Sequence, residues 1–244
     1  MIEVFLFVLF GLLFGSFLNV LILRIPKEQS VIFPSSHCPK CKNKLKFYHN
    51  IPIFSWVFLR GKCAFCSQKI SIQYPLVELF SALIFLVIFL QNSNITQALI
   101  ASLVFALLFG LSIIDFRYKA VPDSLNLAAL SLAMFSSDMI VDNFINALLF
   151  AGGFSLLRFY VSFIVKKEAL GEADIMIAAT IGAMVGVQLG LVCIFLSAII
   201  ALPVFMIVKN RDLEIPFIPF LSIALFLVYI FDEFFLKVFI NIYG

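Results

Sequence analysis

The sequence predicts an all-α polytopic membrane protein of about eight transmembrane helices carrying one small polar insert. Three observations predict it. Apolar stretches about 20 residues long, the length needed to cross a bilayer core, recur along 244 residues of which 63% are hydrophobic and 13% charged. Lysines and arginines cluster on alternate connecting segments. Four of the five cysteines and the only tryptophan, Trp56, fall between residues 26 and 74. So much apolar surface, 31 phenylalanines included, exceeds what a soluble domain of this length hides. The net charge of +3 is read through where the positive residues fall, and nucleic acid is not implied.

Taken in order, the apolar windows place spans near 2–23, 75–91, 95–114, 124–141, 143–165, 174–189, 190–208 and 216–239. The first run, Ile2 to Ile25, has no basic region ahead of it and no small-residue cleavage site. It is expected to be a retained span entering with its amino end outside, rather than a secretory signal. The cytoplasmic segments are then 24–74, 115–123, 166–173 and 209–215. Of the 17 Lys and Arg, nine lie in the first: Arg24, Lys27, Lys40, Lys42, Lys44, Lys46, Arg60, Lys62 and Lys69. Arg117 and Lys119, Lys166 and Lys167, and Lys209 and Arg211 occupy the other three. Only Arg158 and Lys237 fall elsewhere, and a long arginine side chain in the cytoplasmic half of a helix can snorkel. The segments left for the outer face carry no Lys or Arg, as the positive-inside bias predicts. The expected organisation is a first transmembrane helix (1–25), a cytoplasmic insert (26–74) and a transmembrane bundle (75–244), with no evident internal repeat.

Within the insert, Cys38-Pro-Lys-Cys41 and Cys63-Ala-Phe-Cys66 form two Cys-x-x-Cys pairs. Each can grip a metal from a tight turn, and together they supply the tetrahedral thiolate set of structural zinc. Disulfides compete with this reading but rarely persist on a reducing face. Metal binding would supply much of the folding free energy of so small a unit. His37 and His49 flank the pairs and are expected to be surface residues, since four thiolates already fill the shell. Cys193, in an apolar span, is expected to be a small buried side chain.

Carboxylates at a membrane edge are costly and so are functional candidates. Asp115 ends the third span, where a carboxylate faces the unfavourable end of the helix macrodipole; pairing with Arg117 or Lys119 is the alternative. Asp123, after Pro122, sits where an N-cap belongs. Asp174 opens the sixth span in Leu170-Gly171-Glu172-Ala173-Asp174 and by itself reads as a helix cap. Asp115 and Asp174 nevertheless share one depth and one face, and two carboxylates a few ångström apart share a proton. One then activates water while the other polarises a carbonyl, the chemistry of an aspartyl protease.

With these residues in hand, the chain resembles the type IV prepilin leader peptidases, membrane aspartyl proteases of pilus and type II secretion systems. The resemblance runs nearly end to end: Gly15-Ser16-Phe17-Leu18-Asn19-Val20 with Arg24 and Pro26, both cysteine pairs, Tyr74-Pro75-Leu76-Val77-Glu78, the Asp115 to Asp123 loop and the Gly171 to Asp174 turn. It implies that Asp115 and Asp174 are the catalytic pair, with Asp123, Gly171, Glu78 and Asn19 supporting them. It further implies cleavage of a basic leader from prepilin and pseudopilin precursors at the cytoplasmic face of the bacterial inner membrane. S-adenosylmethionine-dependent methylation of the new amino terminus would follow, and Glu78 and the insert are the candidates for it. Two departures stand out: the family's Gly-x-Gly-Asp reads Gly-Glu-Ala-Asp, and a lysine often found two residues later is Met176. Alanine preserves the turn unless the third position needs a positive φ. From the residues alone, Glu78 also reads as a snorkelling or paired carboxylate, Asn19 as a hydrogen bond across helices, and Gly11 with Gly15 as a close-packing pair. The basic insert would repel a basic leader, an effect that Glu28, Glu78, Glu168 and Glu172 offset locally. An aspartyl peptidase without methylation and a carboxylate-dependent transporter are the alternative functions.

Overall fold

The computed structural model describes residues 1–166, 171–207 and 216–243, with the side chains of 242 and 243 excepted. Lys167, Glu168, Lys209 and Arg211, used in the charge argument, lie outside the described residues. Among those described, the regular structure is helical, and the only strand-like pairings are two isolated bridges, His37 with Lys44 and Lys62 with Lys69. The chain forms two compact units, Met1–Ile95 and Thr96–Gly244.

In the first unit, α1 (Ile2–Arg24) and α3 (Gln73–Gln91) form an antiparallel pair, and the insert between them carries the short α2 (Phe54–Phe58). α1 is apolar on every side, as a helix in lipid must be, so small residues rather than an apolar stripe select its packing face. A Cβ on Gly11 would lie 2.8 Å from the Ala82 Cα, and one on Gly15 would lie 2.8 Å from the Glu78 Cα. The two backbones touch there, as the four-residue glycine spacing suggests. Phe7 stacks on Phe89 at 4.4 Å and Phe10 on Phe85 at 5.7 Å further along the seam.

The second unit holds α4 (Ile95–Tyr118, whose first residue closes the first unit), α5 (Asp123–Ala133), α6 (Ile140–Val165), α7 (Glu172–Ile207), α8 (Ile218–Ile230) and α9 (Asp232–Tyr243). Four rungs tie α4 to α8. Phe105 meets Phe226 and Tyr229 edge-on, each at 5.2 Å. The Ser112 hydroxyl donates to Ser222 Oγ at 3.1 Å, and the Ile218 N–H donates to Asp115 at 3.3 Å.

Five helices, α1, α3, α4, α6 and α7, are long and apolar enough to cross a membrane, which makes this a multi-pass membrane protein but does not reproduce the expected eight spans. The expected fourth span is an 11-residue helix, about 16 Å long and too short for a core of roughly 30 Å. Asn143 ends it by donating to the Met134 carbonyl and to Ser137 Oγ, and the apolar residues around that turn masked it from a hydropathy reading. The expected sixth and seventh spans are both in α7, which is broken at Gly186 (φ 72°, ψ −174°). Gly182 and Gly190 both abut the ring of Phe150, yet a straight helix would hold them about 12 Å apart, so the chain bends sharply back at Gly186. A left-handed φ of this kind is one that glycine adopts freely. The expected eighth span divides at Phe231 into α8 and α9, and α9 opens on Asp232 and Glu233.

Candidate active site and metal centre

The insert folds around its cysteines. In the first knuckle the Lys42 N–H bonds the Cys38 carbonyl at 2.9 Å and the Cys38 N–H bonds the Asn43 carbonyl at 3.1 Å. In the second, Ser67 bonds Cys63 at 3.0 Å and Cys63 bonds Gln68 at 2.8 Å. Lys42 and Ser67, equivalent in the two turns, both have φ 56°. The knuckles therefore repeat each other in backbone although their sequences share little beyond the cysteine spacing. Their four sulfurs lie within 4.8 Å of one another, with Cys38 and Cys66 at 3.7 Å. Thiolates at about 2.3 Å from a tetrahedral metal are roughly 3.8 Å apart, so this cluster can hold a metal ion. The backbone N–H of Cys41 pulls the Cys38 thiol down to about 6. Cys41 has the Asn43 N–H in its favour, yet desolvation and the neighbouring sulfurs of Cys66, Cys38 and Cys63 push it up to about 11. A divalent cation would let both members of that pair ionise. His37 is exposed and bonded to the Ser35 carbonyl, while His49 is engaged with the Lys46 N–H; the metal-ligand cluster consists of the cysteines alone.

Below the insert, Glu78 of α3 is 6% exposed, and its Oε2 accepts the N–H of Ile53 at 2.7 Å. Ile53 has φ 60°, a conformation that strains a β-branched residue. The short charge-assisted bond thus holds a strained turn of the insert on α3. Asn19 is buried and donates to the Gly15 and Tyr74 carbonyls at 3.3 and 3.1 Å, a hydrogen bond across helices.

In the second unit, Asp115 and Asp174 line one cavity of about 220 Å³ together with Lys119, Gly171, Glu172 and Phe217. Asp115 is buried at the C-terminal end of α4, and its Oδ2 accepts the Ile218 N–H. Ile218 is the first residue of α8, so another helix's N-terminus offsets the unfavourable dipole of α4. Pro216 and Pro219 lack N–H groups and Phe220 bonds back to Phe217. The Ile218 N–H is the donor that reaches Asp115. Pairing with Arg117 or Lys119 does not occur among the described residues; Lys119 lines the cavity with φ 51°, its N–H closing α4 on the Asp115 carbonyl at 2.9 Å.

Asp174 is the third residue of α7, and its Oδ2 accepts the Gly171 N–H at 3.2 Å. This is the backward half of a capping box, so the cap reading of Asp174 and its place in the cavity hold together. Any side chain at Gly171 would crowd that oxygen, since a Cβ there lies 3.3 Å from it. Ala173 is in the first helical turn, outside the left-handed region, so alanine in place of the family's second glycine costs no strain. Asp123 is exposed, follows the Pro122 N-cap and makes no capping bond; the expected N-cap is a first-turn acid instead, and it does not line the cavity. Arg158 pairs with Glu172 at 3.2 Å beside the turn. Two residues that the sequence reading did not single out complete the surroundings: Ile218, through its backbone, and Asn126, buried on α5 and bonded to the Ala173 carbonyl at 3.1 Å. The flanking prolines were the available signal for the first; the second had none.

Comparison with known proteins follows the same division. Residues 9–92 match the family model described as the Bacterial Peptidase A24 N-terminal domain, and residues 102–206 match that of the Type IV leader peptidase family. A "Prepilin leader peptidase/N-methyltransferase" of Myxococcus xanthus is 42% identical over 74% of this chain and 55% of its own length. The chain thus spans just over half of that relative. A protein of the same name from Xanthomonas campestris is 34% identical over 90% of this chain and 88% of its own. The "Type 4 prepilin-like proteins leader peptide-processing enzyme" of Escherichia coli is 32% identical, covering 88% of each. No solved structure matches. Two family matches that between them take in the four cysteines and both cavity aspartates, with two relatives above 30% identity matched over 88% of their length, establish that this chain belongs to the type IV leader peptidase family.

Proposed function

We propose that the chain is a membrane aspartyl endopeptidase that removes the basic leader from prepilins and pseudopilins at the cytoplasmic face of the bacterial inner membrane. The observation that carries this is the meeting of Asp115 and Asp174, from distant parts of the sequence, in one cavity. Two such carboxylates hold one proton between them. The ionised partner takes a proton from water as its oxygen attacks the scissile carbonyl, and the protonated partner donates to that carbonyl's oxygen. Collapse of the tetrahedral adduct breaks the C–N bond, the proton passes to the leaving amine, and the shared-proton state is restored. The Ile218 and Gly171 N–H groups fix one oxygen of each acid, leaving the other for water or substrate. Gly171, Asp123, Glu78 and Asn19 are proposed as supporting residues; for Gly171 the support is the crowding a Cβ would bring to Asp174. Gly171→Val is expected to lower cleavage by on the order of 10²-fold, the cost of roughly 1 Å of misplacement, with Gly171→Ala closer to wild type; a rate assay on both variants checks the order.

The four cysteines are proposed as a structural zinc site, on the softness and count of the donors. Methylation of the freed amine from S-adenosylmethionine is part of the proposal, on the strength of the relatives' names. Glu78 is the buried carboxylate of that unit, but its bonds to Ile53 of the insert and Ser16 of α1 engage it there rather than in an open donor pocket. Incubating the purified protein with a pilin-type precursor and S-adenosylmethionine, then weighing the product's amino-terminal peptide, tests both activities. Cleavage after the leader with one added methyl is the expected result; an intact precursor refutes the peptidase, and a cleaved, unmethylated product refutes the methyltransferase alone.

A further inference from the structure

We propose that Asn126 is a positioning residue that sets where Asp174 stands relative to Asp115. This inference rests on the peptidase reading of the cavity, though its geometry does not. α5 begins just beyond the loop that leaves Asp115, and the Leu125 and Asn126 N–H groups both bond the Pro122 carbonyl at 3.2 Å, which fixes the first turn. From that turn the Asn126 side chain, 0% exposed, donates through Nδ2 to the carbonyl of Ala173, the residue before Asp174. One hydrogen bond therefore joins the segment that follows the first acid to the turn that carries the second, 47 residues further on.

The other end of this amide argues against a purely structural role. Asn126 Oδ1 is buried and has no hydrogen-bond partner among the described residues. Flipping the amide does not help, because it would set Oδ1 against the Ala173 carbonyl, acceptor against acceptor. A buried amide satisfied at one end costs more than an apolar side chain of the same volume. Leucine would fill the site and favour the bundle. What leucine lacks is the donor that fixes the Ala173 carbonyl, and with it the first turn of α7, against α5. A carbonyl has two lone pairs, so this bond adds to the helical hydrogen bonding of that residue.

The test compares wild type, Asn126→Leu and Asn126→Met, neither of which carries a donor. The full-length protein is used in detergent, with cleavage kinetics on a purified precursor, hydrogen exchange by mass spectrometry and thermal unfolding all measured. Both variants are expected to lose on the order of 10²-fold in kcat with KM within about twofold. Exchange in residues 171–176 should be about tenfold faster than wild type and unchanged in α4, and Asn126→Leu should unfold no earlier. Unchanged exchange in 171–176 overturns the proposal, as does an activity loss that merely tracks a lower unfolding temperature in both variants. If wild type fails to cleave any precursor, the peptidase reading falls, while the exchange data still decide whether Asn126 holds the turn.

Discussion

Asp115→Asn and Asp174→Asn are each expected to reduce precursor cleavage by on the order of 10³-fold or more, within the range of general acid–base contributions, without lowering the amount of protein in the membrane. Asparagine is chosen because it keeps an oxygen to accept the Ile218 or Gly171 N–H and removes only the ionisable proton. Asparagine caps helices about as well as aspartate. If capping were all that Asp174 did, Asp174→Asn would cleave at the wild-type rate, and that result would remove Asp174 from the mechanism. Because the acids act as one unit, the double variant should be little worse than either single one. Single-turnover cleavage of a purified precursor, normalised to protein in the bilayer, makes the measurement.

Replacing Cys38 or Cys63 by serine should release the metal and unfold the insert while leaving the α1–α3 pair intact. Structural zinc contributes roughly 10–16 kcal/mol to comparable small peptides, far more than the sparse core of the insert supplies. The α1–α3 seam depends instead on Gly11, Gly15 and the phenylalanine contacts. Thiolates bind metal and thiols do not, so protons compete with the ion. Retention should fall as the solution is acidified, as protons displace the ion from the four thiolates. For Cys38 the sign is the acidic-group sign: its thiol is drawn down in the fold, so ionisation stabilises the fold at high pH and the benefit disappears as pH drops. Elemental analysis, chelator competition across pH and trypsin sensitivity at Lys40, Lys42 and Lys44 check these outcomes. Protein that carries no metal yet resists trypsin in the insert rules the site out.

Composition and spacing determined much of this by themselves. Apolar runs of bilayer length dictate helices, because a backbone in lipid must satisfy its own hydrogen bonds. Paired Cys-x-x-Cys turns dictate a thiolate cluster, because two short bites supply four donors. Gly11 and Gly15 marked the seam of the first unit because missing side chains are legible in any sequence. Tertiary structure alone decided the rest. Hydropathy averages over a window, so the 11-residue α5 and the division between α8 and α9 were blurred into uniform spans, while the Gly186 bend falls close to the expected boundary between the sixth and seventh. A hydrogen bond between residues 103 positions apart, such as Ile218 to Asp115, has no local signature, because its donor is backbone that every residue carries. Asn126 is an ordinary polar residue in the sequence; only the approach of α5 to the start of α7 gives its amide a partner and the cavity its shape.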